Sequence, residues 1–164
     1  MPELPEVETI SQDLNAHLSG KTINTVTILD NRNLREIDSN SFIKKITAQT
    51  INSIYRKGKA LIVDVSNGYS IIFHLRMTGK FIIQNKTLEY EKHSMVIFAT
   101  DTEHIIFADI RKFATINVIE TLKLHENKKF VILCIRKRDH DNKRNMSDEL
   151  ANYLLNSLIY LIKK

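Results

Sequence analysis

Pro2 is the residue of this sequence best suited to covalent chemistry. Removal of Met1 by an aminopeptidase leaves Pro2 with a free secondary amine. Because the reference pKa of an α-amino group is about 8, well below that of lysine, far more of it is neutral and nucleophilic at physiological pH. Attack of this amine on a sugar aldehyde gives a permanently cationic iminium ion, which draws electrons for an elimination. The N-terminus therefore suits lyase chemistry.

Two carboxylates, Glu3 and Glu6, follow the amine closely. Their spacing places both near the start of a helix, where one can move protons and the other can position the site. The alternative interpretation is a capped helix, because acidic first turns are favoured by the helix dipole. Spacing alone favours this alternative.

The segment that carries these residues has the pattern of an amphipathic helix. Pro5 stands early and Gly20 provides a stop. Apolar residues recur at spacings of three and four: Leu4, Val7, Ile10, Leu14 and Leu18. The predicted helix therefore holds the N-terminus against the rest of the domain.

Eight short β-rich runs separated by polar turns follow this helix. They cover residues 23–29, 48–55, 60–65, 69–75, 80–83, 95–99, 104–108 and 115–118. This pattern predicts a mainly β domain with flanking helices (α+β), built as an antiparallel two-sheet β-sandwich of about eight strands. Ser39 is a plausible cap for a short helix over residues 39–46.

Composition sets broad limits. With 164 residues and a net charge of +5, the chain suits one domain, residues 1–120, and favours polyanionic partners. Residues 121–164 are expected to form a basic linker, with its charge at 136–144, and an amphipathic helix that packs on the same domain or on a partner. The one cysteine, Cys134, excludes a disulfide framework and a Cys-rich zinc site. No apolar run reaches the roughly 20 residues that span a membrane, so a cytoplasmic location is the default expectation.

The opening MPELPEVET resembles the N-terminal signature of the formamidopyrimidine-DNA glycosylase family, which includes the endonuclease VIII type enzymes. The resemblance continues through four further motifs in the same order and spacing, over roughly residues 1–120. They are RKGKALI at 56–62, HLRMTGK at 74–80, EKHSM at 91–95 and DIRKF at 109–113.

The resemblance implies a role for each N-terminal residue. Pro2 would be the nucleophile, Glu3 the acid/base that opens the deoxyribose ring and assists base loss, and Glu6 a supporting carboxylate. Lys59 resembles the family lysine that contacts the phosphate beside the lesion and the damaged nucleotide, and Arg56 adds positive charge where that phosphate approaches. The alternative for Lys59 is a solvated charge in a hairpin turn.

A base that is extruded from DNA leaves a void that protein side chains must fill. Met77, Arg111 and Phe113 match the three void-filling residues of the family. Without the resemblance, Met77 and Phe113 read as core residues. Lys112 is expected to contact a phosphate, and His93 resembles a family histidine near the DNA backbone.

Several positions depart from the family pattern. Met95 stands where many members have a second histidine. Ile110 and Ala114 replace the proline and glycine of the frequent DPRRFG form of the void-filling loop, so the geometry of this loop is open. His74, at the end of a strand, is interpreted as structural.

The implied function is base-excision repair of double-stranded DNA, with glycosylase and abasic-site lyase activity on oxidised purines (8-oxoguanine, formamidopyrimidine) and abasic sites. No metal or cofactor is expected, since the zinc finger of the family needs four cysteines. The helix-two-turn-helix part of the family is not expected in these 164 residues either. Binding is therefore expected to be weak and salt-sensitive unless a homodimer or a second chain adds phosphate contacts. The alternatives are a non-catalytic lesion-binding domain and a split or degenerate fragment that requires a partner chain.

Overall fold

The computed structural model describes residues 3–85 and 90–126 of the chain. Within them lie three helices, α1 (Leu4–Leu18), α2 (Ser39–Ile46) and α3 (Thr121–Glu126). The nine strands are β1 (Thr22–Ile23), β2 (Thr25–Ile28), β3 (Gln49–Lys57), β4 (Ala60–Val65), β5 (Tyr69–His74), β6 (Gly79–Asn85), β7 (Ser94–Ala99), β8 (Glu103–Asp109) and β9 (Thr115–Glu120). No helix in these two ranges is both long enough and apolar enough to cross a membrane.

The strands form two antiparallel sheets. One sheet has five strands in the order β1-β3-β4-β5-β9, and the other has four in the order β2-β7-β8-β6. The predicted two-sheet sandwich with an N-terminal helix is confirmed. The single strand predicted over residues 23–29 is wrong in one respect: it divides at Asn24, whose backbone N–H donates to Ala99, so that β1 joins one sheet and β2 the other.

Phenylalanine side chains fill the space between the sheets. Phe73 of the five-stranded sheet packs edge-on to Phe81 and Phe98 of the other sheet, and its ring centroid lies 5.2 Å from that of Phe107. Tilted and edge-on contacts at this separation suit the quadrupoles of the rings. A core packed in this way holds both sheets, and the loops at their ends, in a fixed arrangement.

Helix α1 lies against β3 and buries one stripe of its surface. Val7, Leu14 and Leu18 are buried, while Leu4 at the first position stays 43% exposed. The side-chain carbonyl of Asn15 accepts a hydrogen bond of 2.7 Å from the backbone N–H of Ile54. This contact fixes the helix on the sheet, so the start of α1 has a defined place relative to the end of β3.

Helix α2 covers another part of the core with Phe42 and Ile46, both fully buried. Its predicted cap, Ser39, is wrong. Asp38 is the N-cap instead, and its carboxylate accepts hydrogen bonds from the N–H and the hydroxyl of Ser41. An aspartate one residue earlier competes well with serine for this role because its charge also favours the positive end of the helix.

Helix α3 lies within the segment that the sequence analysis assigned to a linker. Its Leu124 is buried, and the backbone carbonyl of Leu124 accepts a hydrogen bond of 3.0 Å from Lys57 Nζ. The amphipathic helix and basic stretch predicted beyond it, with Cys134, lie outside the described residues.

Candidate active site

Three loops leave the five-stranded sheet at one edge. Cross-strand pairing places Lys57, Ala60, His74 and Thr115 in a single row across β3, β4, β5 and β9. The turn that holds Lys59 lies directly beyond this row. The segments that lead from His74 to Met77 and from Phe113 to Thr115 lie beyond it as well. Residues far apart in sequence therefore meet at this edge.

The four-stranded sheet contributes its loops at the start of β6 and β7 and at the end of β8. Gly79 pairs with Asp109, and Ser94 pairs with Ala108. His93, just before β7, accepts a hydrogen bond of 3.1 Å at its backbone carbonyl from the N–H of Asp109. We call the combined end of both sheets, with turns 58–59 and 75–78 and loops 91–93 and 110–114, the site edge.

The start of α1 is joined to the site edge by an ion pair. Lys59 Nζ lies 2.7 Å from Glu3 Oε2, with the two side chains 41% and 63% exposed. Glu6 turns back to the helix start, where its Oε2 accepts a hydrogen bond of 3.1 Å from the backbone N–H of Glu3. Glu6 therefore takes part in capping the helix, as the alternative interpretation expects, while Glu3 directs its carboxylate at Lys59. The catalytic roles of both carboxylates stay predictions.

Lys59 also affects the acidity of Glu3. Its hydrogen bond, followed by its charge, lowers the pKa of the Glu3 carboxyl below the ordinary value of 4.5. Glu3 is ionised at neutral pH with or without this shift, so its carboxylate is able to accept a proton. A carboxylate in this state, beside the chain terminus, has the properties of a general base.

Met77, Arg111 and Phe113 form one exposed cluster, which we call the wedge cluster. Met77 is 49% and Phe113 54% exposed, so the interpretation of both as core residues is wrong. Arg111 lies between them: its Nη1 is 3.1 Å from Met77 Sδ, and its guanidinium carbon is 4.9 Å from the centroid of the Phe113 ring. The two apolar side chains are suited to stack on a base, and the guanidinium between them can donate hydrogen bonds to the edge of a base.

Backbone strain concentrates at the same place. Among the described non-glycine residues, five have positive φ, and three of these lie at the site edge: Arg76 (54°), His93 (73°) and Lys112 (57°). Each such residue costs about 1–2 kcal/mol, and strain of this kind gathers at functional sites. The conformations of these three loops therefore reduce the stability of the fold.

The sequence and the fold of this chain are both similar to those of known proteins. The family model of the formamidopyrimidine-DNA glycosylase N-terminal domain matches residues 1–116. The chain belongs to this family. A formamidopyrimidine-DNA glycosylase of an Exiguobacterium species is 37% identical over 126 residues, which are 76% of this chain and 46% of that protein. The enzyme of the same name from Ligilactobacillus salivarius is 38% identical over 122 residues, 74% of this chain and 44% of the other.

Solved structures of the Lactococcus lactis formamidopyrimidine-DNA glycosylase share the fold. One holds DNA with an oxidised pyrimidine, and another is bound non-covalently to DNA with an abasic site. Each has a TM-score of 0.72 and 33% identity and covers 78% of this chain, with 48% and 50% of the glycosylase chain matched. The chain thus spans about half the length of the glycosylases it matches.

The structure brings most of the glycosylase residues predicted from the sequence to the site edge, but Pro2 lies outside the described residues. Two of the predicted DNA contacts are engaged within the protein. Arg56 pairs with Glu8 of α1. Lys112 Nζ lies 2.9 Å from Asp30 Oδ2 and is only 28% exposed. Their roles in DNA binding stay predictions.

The departures from the glycosylase pattern have structural explanations. Met95 is buried in the core, with 1% of its surface exposed, so it takes no place on the site edge. Ala114 is fully buried, whereas Ile110 is 58% exposed. In this loop the positive φ falls on Lys112 and not on Ala114, so position 114 does not require a glycine. Burial and the charge of Arg76 lower the pKa of His74.

Sequence reasoning missed four residues that shape the site edge: Asn33, Asp30, Thr78 and Asp109. Thr78 lies in the motif HLRMTGK and Asp109 in the motif DIRKF. Their places in these motifs are the sequence signal that could have identified them. Asn33 and Asp30 precede α2 in sequence, and no local pattern connects them to a loop about 80 residues later.

Proposed function

We propose that this chain is the catalytic domain of a DNA base-excision glycosylase with abasic-site lyase activity, in which Pro2 is the nucleophile. The observation that carries the proposal is the shared site edge. It joins an ionised carboxylate, Glu3 beside Lys59, to an exposed wedge cluster. The first suits proton transfer at a sugar, and the second suits the space left by an extruded base.

The chemistry begins at the amine of Pro2. On an abasic site the amine adds to C1′ of the open sugar, water leaves, and an iminium ion forms. On a damaged nucleotide the amine displaces the base from C1′, and the base leaves with a proton from solvent. Breaking the bond from C1′ to the ring oxygen, which takes up a proton, then turns this adduct into the same iminium ion. The iminium acidifies the C2′ hydrogen, and loss of that proton to water expels the phosphate as the C3′–O bond breaks. One strand is cleaved by this β-elimination without an external oxidant or reductant.

Glu3 would move the protons in these steps. As a carboxylate it takes the proton that the Pro2 amine must lose, and it returns a proton to the ring oxygen so that the sugar opens. Lys59 holds the Glu3 carboxylate in an ion pair in the free protein and would turn towards a phosphate or the damaged nucleotide in the complex. Glu6 holds the first turn of α1 by its hydrogen bond to Glu3.

Damaged double-stranded DNA is the proposed partner. The wedge cluster would enter the void, with Arg111 facing the orphaned base and Phe113 wedged between stacked bases. Arg76 and Lys112 would add positive charge near the backbone, and His93 would lie beside it. We favour oxidised purines, namely 8-oxoguanine and formamidopyrimidines, as the damaged bases. Oxidised pyrimidines are the alternative damaged bases to test, because one Lactococcus lactis structure contains such DNA.

Borohydride trapping tests this proposal. Protein freed of Met1 is incubated with duplexes that carry an abasic site, 8-oxoguanine or an oxidised pyrimidine, and the iminium is reduced to a stable amine. The expected result is a covalent adduct on a denaturing gel, absent from a form that retains Met1. An adduct on the abasic site alone would establish a lyase that does not excise bases. Absence of any adduct at low salt and high protein concentration would refute stand-alone catalysis and favour a non-catalytic lesion binder.

A further inference from the structure

Asp109 is a fully buried carboxylate at the site edge. Its Oδ1 accepts a hydrogen bond of 2.5 Å from the hydroxyl of Thr78. Its Oδ2 accepts hydrogen bonds of 2.8 Å from the N–H of Ala114 and 3.1 Å from Nδ2 of Asn33. None of the ion pairs in the described part of the chain includes Asp109. A buried charge without a cation is tolerated only when hydrogen bonds satisfy it, as they do here.

These hydrogen bonds come from three separate segments. Thr78 belongs to the turn that carries Met77, Ala114 ends the loop that carries Arg111 and Phe113, and Asn33 lies before α2. The side chain of Asn33 also donates to the backbone carbonyl of Ala114 at 2.7 Å. The carboxylate of Asp109 is thus the point at which the supports of the wedge cluster meet.

Thr78 connects the two halves of the wedge cluster directly. While its hydroxyl donates to Asp109, its oxygen accepts a hydrogen bond of 3.0 Å from the backbone N–H of Arg111. The backbone of Arg111 is therefore tied to the residue that follows Met77. These two hydrogen bonds, which we call the relay, fix the separation of the two loops. They do so independently of the exposed contacts among the side chains of the wedge cluster.

Asp109 stays ionised in this environment. Burial opposes its charge, but the hydrogen bonds from Thr78, Ala114 and Asn33 outweigh burial, and the pKa of Asp109 is lowered. An ionised carboxylate accepts from all of its donors at once, whereas a protonated one would give up a lone pair. The support is therefore complete at neutral pH.

We propose that Asp109 and Thr78 are positioning residues that hold the wedge cluster in the arrangement that enters DNA opposite a lesion. Neither residue touches DNA in this proposal, which rests on the proposed function. Without the relay, the loops would have to be ordered during binding, and that ordering would reduce the fraction of complexes with the wedge inserted.

The test uses a duplex with a non-reactive tetrahydrofuran abasic site opposite 2-aminopurine, whose fluorescence changes when its stacking changes. Thr78→Val removes both hydrogen bonds with little change of shape, and Thr78→Ser retains the hydroxyl. We expect Thr78→Val to lower the inserted fraction about tenfold, a change of about 1.4 kcal/mol. Thr78→Ser should retain the response of the wild-type protein. Thr78→Ala, which adds no methyl group at the hydroxyl position, is the second variant if Thr78→Val fails to fold.

Thr100 provides a matched control at the opposite end of the sandwich. It is buried, and its hydroxyl donates to the carbonyl and accepts from the N–H of Glu103, both at 3.2 Å. Thr100→Val and Thr78→Val should both lower the melting temperature. Thr100→Val should leave the fluorescence response unchanged.

Three results would overturn the inference. They are a wild-type response in Thr78→Val, a response lost equally in Thr100→Val, and a response that Thr78→Ser fails to retain. A wild-type protein that shows neither fluorescence change nor anisotropy change with this duplex would refute the proposed function itself. Binding seen by anisotropy, with a fluorescence response that Thr78→Val leaves intact, would refute only the positioning role.

Discussion

The two halves of the site edge are held in different ways. Glu3 and Lys59 meet in one exposed ion pair, and such a pair contributes little to stability. The loops of the wedge cluster are held by Asp109, which is fully buried and accepts from three segments. Under the proposed function, the group that would transfer protons stays accessible to solvent, while the loops that would enter DNA are held in place by a buried carboxylate.

The largest effect that separates the two halves is expected from Glu3→Gln. The amide cannot accept the proton of the Pro2 amine, so the single-turnover rate on 8-oxoguanine DNA should fall about 10²–10⁴-fold. The urea midpoint should not change, because the side chain is exposed. Asp13→Asn, which removes a charge from the exposed face of the same helix, is the control and should keep the full rate. A Glu3→Gln protein that excises bases at the wild-type rate would exclude Glu3 as acid/base.

The next effect compares two glycines, one in each half. A Cβ at Gly79 would lie 2.6 Å from the backbone carbonyl oxygen of Leu75, whereas a Cβ at Gly58 meets nothing within 4 Å. Gly79→Ala should therefore destabilise the fold by about 3 kcal/mol, the upper range for overpacking. Gly58→Ala should cost about 1 kcal/mol for its positive φ.

Urea unfolding of both glycine variants measures this difference. Because the closest contact of Gly79 is with backbone, adding Ala114→Gly to Gly79→Ala should restore little stability. Full restoration would instead assign the strain to the Ala114 side chain, 3.2 Å from the same Cβ position.

The smallest effect concerns pH. Lys59 lowers the pKa of Glu3, and the active form of Glu3 is the carboxylate, so activity is lost as pH falls through this pKa. Lys59→Met should raise that pKa towards the ordinary value of 4.5 and move the acidic limb of the rate profile to higher pH. The ratio of rates at about pH 4 and about pH 8 isolates this shift from any loss of DNA contact. Lys123→Met, at an exposed position of α3, is the control and should leave the ratio unchanged. An unchanged ratio in Lys59→Met would show that Lys59 does not control the pKa of Glu3.

The sequence predicts the fold well where a pattern is local. The stripe of Val7, Leu14 and Leu18 predicts α1, and short β-rich runs separated by polar turns predict the strands. The sequence does not predict the division of the first run at Asn24, because this one poor strand former stands among β-prone residues and only pairing with two different partners separates β1 from β2. The cap of α2 moved by one residue because aspartate and serine compete locally.

The residues of the site are predicted from motifs, whereas the buried hydrogen bonds that support its loops are not. Met77, Arg111 and Phe113 were found by resemblance, and their exposure distinguishes them from core residues. Asp109 stands in a motif, yet one of its hydrogen-bond donors is Asn33, which lies 76 positions earlier in sequence. The pairing of Lys112 with Asp30 is equally long-range. Contacts of this kind depend on the folded sheets, so no local pattern reports them.

Mapping the trapped adduct tests the central claim most directly. After borohydride reduction on abasic-site DNA, the protein and the DNA are digested and the modified peptide is identified by mass spectrometry. The account predicts that the sugar remnant is attached to Pro2, at the N-terminus of the first peptide. Attachment to Lys59 or to any other lysine, with an unmodified N-terminus, would contradict it.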